Sequence, residues 1–335
     1  MLPLALTMGC PAGIGPEIIL KYFHQHNNNI HSPVIVVGDK NVLDFYADKL
    51  QFNCSIIPWL VGDTIPTGSG TIPLLETSRL PQACIQPGVF SKETAIAMAD
   101  AIITAVQEIQ NSHFSGLCTC PISKEALQKS EQHYPGHTEM LAALTNSSGQ
   151  VMMLAGSSLR VTLATIHCSI EQVPGLLSIE SLLKLYQTTH SSLLKDFNIP
   201  SPKLAVAALN PHAGEGGMFG SEEQRIITPS IKLAKQEGMD IHGPFPPDTI
   251  FVKAAQGEYD AVVCMYHDQG LIPFKLLHFK DGVNVTLGLP IVRTSVDHGT
   301  AYDIAGKGLS DPESLIAAIE LAKTIIRNRT HSTTL

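Results

Sequence analysis

Short apolar runs that alternate with stretches of helical periodicity limit the fold of this chain more than any other feature. Such a chain pairs its apolar runs in parallel and returns between them through helices that cover the sheet. The fold class is therefore α/β, with a mostly parallel sheet flanked by helices. The expected strands are Leu4 to Met8, Pro33 to Val37, Gly116 to Cys120, Val161 to Ile166, Leu204 to Leu209, Ala261 to Met265 and Val283 to Leu287. Between them, Ala95, Ala99, Ile102, Val106 and Ile109 recur at helical spacing across Ser91 to Ile109, and Pro312 to Ile326 behaves similarly. The stretch from Gln51 to Gly88 is rich in Pro and Gly with weak periodicity, and reads as an irregular excursion. At 335 residues, 44% of them apolar, the chain outgrows one core, and two lobes are expected.

A net charge of -8 and the lack of a basic run argue against nucleic acid as a partner, because phosphate backbones are held by clustered Lys and Arg. Seven cysteines lie mostly in apolar runs, which fits reduced thiols in a cytoplasmic protein better than a disulfide framework. The opening MLPLALTMGC lacks a basic flank and breaks at Pro and Gly, so it reads as a first strand. No run approaches the length of a membrane span.

In open α/β sheets ligands bind beyond the carboxyl ends of the strands. Three expected strands run into histidine there: Val161 to Ile166 into His167, Leu204 to Leu209 into His212, and Ala261 to Met265 into His267. Three neutral imidazoles suit Zn, Co, Ni or Fe(II) and leave a position for water or substrate. For each histidine taken singly a hydrogen-bonded structural or surface role is the better reading, and it is the shared position after three separate strands that points to a site.

Other loops offer chemistry with structural alternatives beside it. Gly9 to Pro16 leads from the first strand into a helix near Glu17, and either presents amides to an anion or makes a tight turn. Ser123 is an expected N-cap, with Lys124 either a site cation or a first-turn lysine. His137 and Thr138 open a helix where they bind phosphate oxygens or cap it. Lys275, Asn284 and Arg293 sit in or beside apolar runs, where a charge or amide needs a partner. That partner is a ligand, or else an acid such as Asp281 or Asp297 for the cations and a backbone group for Asn284.

The motifs TMGCPAGIGPE, TCPISKEAL, GHTE, LNPHAGEGG, GPFPPDT, AVVCMYHDQGLIPFK, GVNVTLGLPIVRTSVDHGTA and DIAGKG occur together and in this order. In them the chain, from Leu4 to about Ile326, resembles the PdxA family of 4-hydroxythreonine-4-phosphate dehydrogenases. The resemblance implies a two-lobed fold similar to isocitrate and isopropylmalate dehydrogenases, with an active-site cleft between lobes discontinuous in sequence. It implies oxidation of 4-phosphooxy-L-threonine by NAD or NADP, then decarboxylation to 3-amino-2-oxopropyl phosphate, in pyridoxal 5'-phosphate synthesis. The family's metal ligands fall on His167, His212 and His267, for one divalent ion such as Zn, Mg, Co or Mn. Its substrate residues fall on His137, Thr138, Lys275, Asn284 and Arg293. The segment DHGTAYD is similar to a cofactor loop and puts Asp297, His298, Gly299, Thr300, Ala301 and Asp303 near the nucleotide. The family is homodimeric, with metal ligands drawn from both subunits.

Two departures stand out: Cys10 replaces a commonly acidic residue, and the first metal motif reads THCS where Pro often follows the histidine. Asp248, Asp268 and Lys124 are candidates for proton transfer or, for the acids, for support of a metal histidine. Rival readings are a paralogue acting on D-threonate or D-erythronate 4-phosphate, and a non-redox phosphate acyltransferase or phosphoester-binding protein.

Overall fold

The first apolar run forms strand β1 (Leu4–Thr7), buried along its whole length, as expected for a strand covered on both faces. The computed structural model describes residues 2–26, 28, 31–132 and 134–332. Helix α1 (Gly15–Gln25), strand β2 (Val34–Asp39) and helix α2 (Lys40–Leu50) follow. The stretch expected to be irregular instead contains two strands, β3 (Ser55–Pro58) and β4 (Thr71–Ser78). Its periodicity was hidden because β3 is a short edge strand with one buried residue, and because Pro58 and Pro73 lie inside the strands. Next come α3 (Lys92–Gln110), β5 (Gly116–Thr119), α4 (Lys124–Lys129) and α5 (His137–Leu144). Ser91 caps α3 by accepting from Thr94 N at 3.3 Å, while Thr94 returns the bond to the Ser91 backbone, so the helix starts where its apolar stripe does.

The middle of the chain supplies β6 (Val151–Ala155), β7 (Arg160–Leu163), α6 (Val173–Leu176), α7 (Ile179–Lys195) and β8 (Lys203–Ala207). It continues with α8 (Thr228–Gln236), β9 (Asp240–Phe245), α9 (Pro247–Ala255), β10 (Ala261–Cys264), α10 (His267–Leu277) and β11 (Val283–Leu287). Strand β12 (Arg293–Val296) and helix α11 (Glu313–Ser332) close the fold.

The chain divides into two compact units, Met1–Ser147 with Leu289–Ile326, and Ser148–Gly288 with Arg327–Leu335. In the first, strands run β3-β4-β2-β1-β5-β12 and every pairing is parallel. Met98, Ile102 and Ala105 of α3 join Ile35, Val37 and Leu117 in its core. In the second, the order is β11-β6-β7-β10-β8-β9. There β6 runs antiparallel to both neighbours and the remaining pairings are parallel. Its core gathers Leu163, Ala205, Val262 and Cys264 with Ile250 of α9 and Phe274 of α10. Each Val, Leu, Ile, Met or Phe among them stabilises by roughly 1.5–3 kcal/mol on full burial. Among the described residues no helix is long and apolar enough to cross a membrane.

Candidate active site

The three strand-end histidines follow three adjacent parallel strands. Strand β10 lies between β7 and β8, so His167, His267 and His212 leave the same carboxyl edge of the second unit's sheet. Side chains stitch that edge together. Thr165 donates from Oγ1 to the Met265 carbonyl at 2.8 Å, joining the chain two residues before His167 to the chain two residues before His267. Gln269, buried, accepts from Met265 N at 2.7 Å and donates to the Ala208 carbonyl at 2.6 Å, which ties the end of β10 to the end of β8. Sequence reasoning missed both residues.

His267 opens α10 and donates from Nδ1 to Asp268 Oδ1 at 2.7 Å. With Nδ1 engaged, Nε2 is the nitrogen that carries a lone pair. The rings of His167 and His267 stand 5.9 Å apart between centroids. Both line a cavity of about 430 Å³, together with Cys168, Gln172, Tyr266 and Asp268. His212 has Phe219 as its ring neighbour, at 6.2 Å. Among the described residues no three His, Cys, Asp or Glu side chains form a finished coordination set. The donor chemistry nevertheless suits a divalent ion, with three imidazoles on one edge and one tautomer already fixed.

The turn that presents His212 is left-handed. Six consecutive residues take positive φ: His212 at 51°, Ala213 at 54°, Gly214 at 79°, Glu215 at 43°, Gly216 at 66° and Gly217 at 105°. Each non-glycine residue there costs roughly 1–2 kcal/mol. Such a turn persists only where its surroundings hold it, and strain of this kind gathers at functional sites.

A second group of expected residues lies in the first unit. Arg293 starts β12 and is 4% exposed. It donates from Nη2 to Thr119 Oγ1 at 3.0 Å and to His137 Nδ1 at 3.2 Å. Both partners are neutral side chains of the same unit. Burial pushes the guanidinium down to about 10, which leaves it charged at neutral pH. Burial, and then the Arg293 charge, holds His137 well below the usual imidazole range, so the ring is neutral. Because Nδ1 accepts, the proton resides on Nε2, a buried atom with no hydrogen-bond partner among the described residues. Neither His137 nor Thr138 caps α5, since Gly136 occupies the N-cap without a side-chain bond. Ser123 does cap α4, accepting from Ala126 N at 3.1 Å, and Lys124 beside it is exposed.

The loop Gly9 to Pro16 is a docking turn, its amides spent on carbonyls. Cys10 N donates to Pro121 O, Gly13 N to Cys10 O and Ile14 N to Thr300 O, at 2.9, 2.9 and 3.0 Å. The last of these three bonds seats the DHGTAYD segment on the loop. Cys10 lies 3.3 Å from the Tyr302 hydroxyl, and burial pushes its thiol up, so it does not take over an acidic role. Glu17, fully buried, accepts from Ser310 N at 2.9 Å and Ser310 Oγ at 2.6 Å, pinning the loop that follows DIAGKG. An acid inside the apolar face of PEIILKYF was the available signal. Within the DHGTAYD segment, Asp297 N donates to Ser314 Oγ at 3.1 Å and Ala301 has φ 42°. His298 Nδ1 donates to the Gly299 carbonyl at 3.1 Å, and Asp303 is exposed.

The remaining expected residues belong to the second unit. Lys275 is half-buried on α10, Asn284 faces Leu154 across the β11–β6 pairing, and Asp248 is exposed in the first turn of α9. Asp281 partners His278 at 3.1 Å.

Residues 29–322 match the family described as "Pyridoxal phosphate biosynthetic protein PdxA". The chain is 50% identical over 323 residues to a 4-hydroxythreonine-4-phosphate dehydrogenase of Desulfosudis oleivorans, covering 95% of this chain and 94% of that one. It is 43% identical to a putative D-threonate 4-phosphate dehydrogenase of Bradyrhizobium diazoefficiens, with 96% of each chain covered. A solved 4-hydroxythreonine-4-phosphate dehydrogenase from Klebsiella pneumoniae superposes with a TM-score of 0.88 at 38% identity, covering 97% of this chain and 98% of that one.

Proposed function

The chain belongs to the PdxA family, and on that premise we propose that it is a 4-hydroxythreonine-4-phosphate dehydrogenase of pyridoxal 5'-phosphate synthesis. The observation that carries this reading is 50% identity to an enzyme of that name along nearly the whole of both chains. Oxidation of 4-phosphooxy-L-threonine removes the proton of a hydroxyl and transfers hydride from its carbon to NAD or NADP. The resulting β-keto acid loses carbon dioxide as its C–C bond breaks, giving 3-amino-2-oxopropyl phosphate.

His167, His212 and His267 would hold one divalent cation, Zn, Mg, Co or Mn. Bound there, the cation supplies Lewis acidity to the substrate hydroxyl and to the charge that develops on decarboxylation. The chain's own residues do the rest. Asp268 orients His267 through Nδ1. His137 offers a neutral Nε2–H donor, and Arg293 a buried cation, to substrate oxygens. Lys275 adds a second cation, while Thr138 and Asn284 fix orientation. Asp248 and Lys124 are exposed groups available for proton transfer. Asp297, His298, Gly299, Thr300, Ala301 and Asp303 would line the nucleotide.

The proposed assembly is a homodimer that shares the metal site, working in the cytoplasm. Its support is α10, where Ile272 and Leu276, one turn apart, are 68% and 84% exposed, with Phe279 at 79% just beyond. A second reading, dehydrogenation of D-threonate 4-phosphate or its erythronate counterpart, is favoured by the Bradyrhizobium relative. Purified protein with NAD, a divalent metal and each of the three phosphates in turn separates them. NADH from 4-phosphooxy-L-threonine alone is expected, preference for a sugar-acid phosphate selects the second reading, and silence with all three defeats both.

A further inference from the structure

We infer that Glu223 is a positioning residue for His212, acting through the backbone that carries it. The inference rests on the proposed role of His212 as a metal ligand. Glu223 opens a π-helical turn, Glu223–Ile227, of the kind that recurs at functional sites, and is 3% exposed. Its Oε1 accepts from Leu209 N at 2.9 Å and from Asn210 N at 2.8 Å. Its Oε2 accepts from Asn210 Nδ2 at 3.0 Å, and Glu222 Oε2 accepts from the same amide at 2.8 Å. The residues just before Pro211 and His212 are thus clamped by charge-assisted bonds.

The other side of the turn closes on the same carboxylate. A Cβ at Gly214 would stand 2.7 Å from Glu223 Oε2, and Gly214 has φ 79°. So the left-handed turn carrying His212 begins and folds back on one buried acid. A turn of this hand does not hold itself, and Glu223 touches both its approach and its middle. Its removal lets His212 wander while the cores of the unit, built elsewhere, stay intact.

The test uses Glu223→Gln, which keeps size and burial but replaces an acceptor by an amide that opposes Asn210 Nδ2. Amide hydrogen exchange on metal-free protein is expected to quicken roughly tenfold at Leu209 and Asn210 as their acceptor weakens. Calorimetric titration with Co(II) alone is expected to show affinity lower by about 10–100-fold. With saturating metal, kcat should fall more than KM rises, and the melting temperature should drop by only the few degrees that weakened bonds to one buried acid imply. Parental exchange at Leu209 and Asn210, or parental Co(II) affinity in the variant, overturns the proposal. Absence of Co(II) uptake by the parent is a separate result that overturns the metal reading itself. Should Glu223→Gln fail to fold, Gly214→Ala disturbs the same contact from the turn side and carries the same expectations.

Discussion

Arg293 donates to His137 Nδ1 at 3.2 Å, and this one bond decides which nitrogen of the imidazole faces outward as a donor. A guanidinium has no lone pair to accept, so Nδ1 must, and the ring proton is forced onto Nε2. A neutral donor beside a buried cation is a combination suited to the oxygens of a phosphate or carboxylate.

The first prediction concerns pH. The folded ring resists a proton that the unfolded ring accepts below about 6.5. Its contribution to stability is complete above that value and is lost as pH falls from there towards the depressed folded one. Denaturant midpoints should therefore drop more steeply between pH 7 and pH 5, on the order of one unit either side of the unfolded value, in the parent than in His137→Gln. Parallel profiles would contradict it.

Asp268 is expected to matter to metal binding and hardly at all to folding. Its side chain is 69% exposed and its recorded partner is His267 Nδ1. Asp268→Ala should weaken metal binding about 10–100-fold, with the melting temperature unchanged. A variant that binds Co(II) as tightly as the parent would show that Nδ1 needs no partner.

Glu17 makes the opposite forecast. Burial raises its pKa, but bonds from Ser310 and from Lys21, 3.1 Å away, outweigh that and hold it below the usual carboxylate value. Stability from this group is present above about 4.5 and lost as pH falls through the lowered folded value. Glu17→Gln should cost roughly 1–3 kcal/mol in urea unfolding. It should also raise KM for NAD more than KM for the phosphorylated substrate, since the loop it pins follows the proposed nucleotide segment. Equal changes in both constants would reject that link.

Much of this was legible in the sequence, for identifiable reasons. Strands β7, β8 and β10 announce themselves as apolar runs, and parallel pairing forces their ends to one edge, so His167, His212 and His267 could be grouped before any coordinates. Ser123 was readable as a cap because capping is local. Strands β3 and β4 were not, being prolyl and peripheral. The contacts that went unnoticed share one trait: their partners are distant. Glu17 meets Ser310, Gln269 meets Ala208, and Cys10 meets Tyr302. No periodicity encodes such pairs, and an isolated acid or amide in an apolar stretch is the trace they leave.

Gln269 and Thr165 fasten the three strand ends to one another directly, without passing through the helices between them. The edge therefore behaves as a jig whose geometry is independent of what hangs from it. Lineages can lengthen, shorten or restyle α7, α8 and α9 and leave the imidazoles in register. Substrate preference could then be changed from the helices without disturbing the proposed metal site.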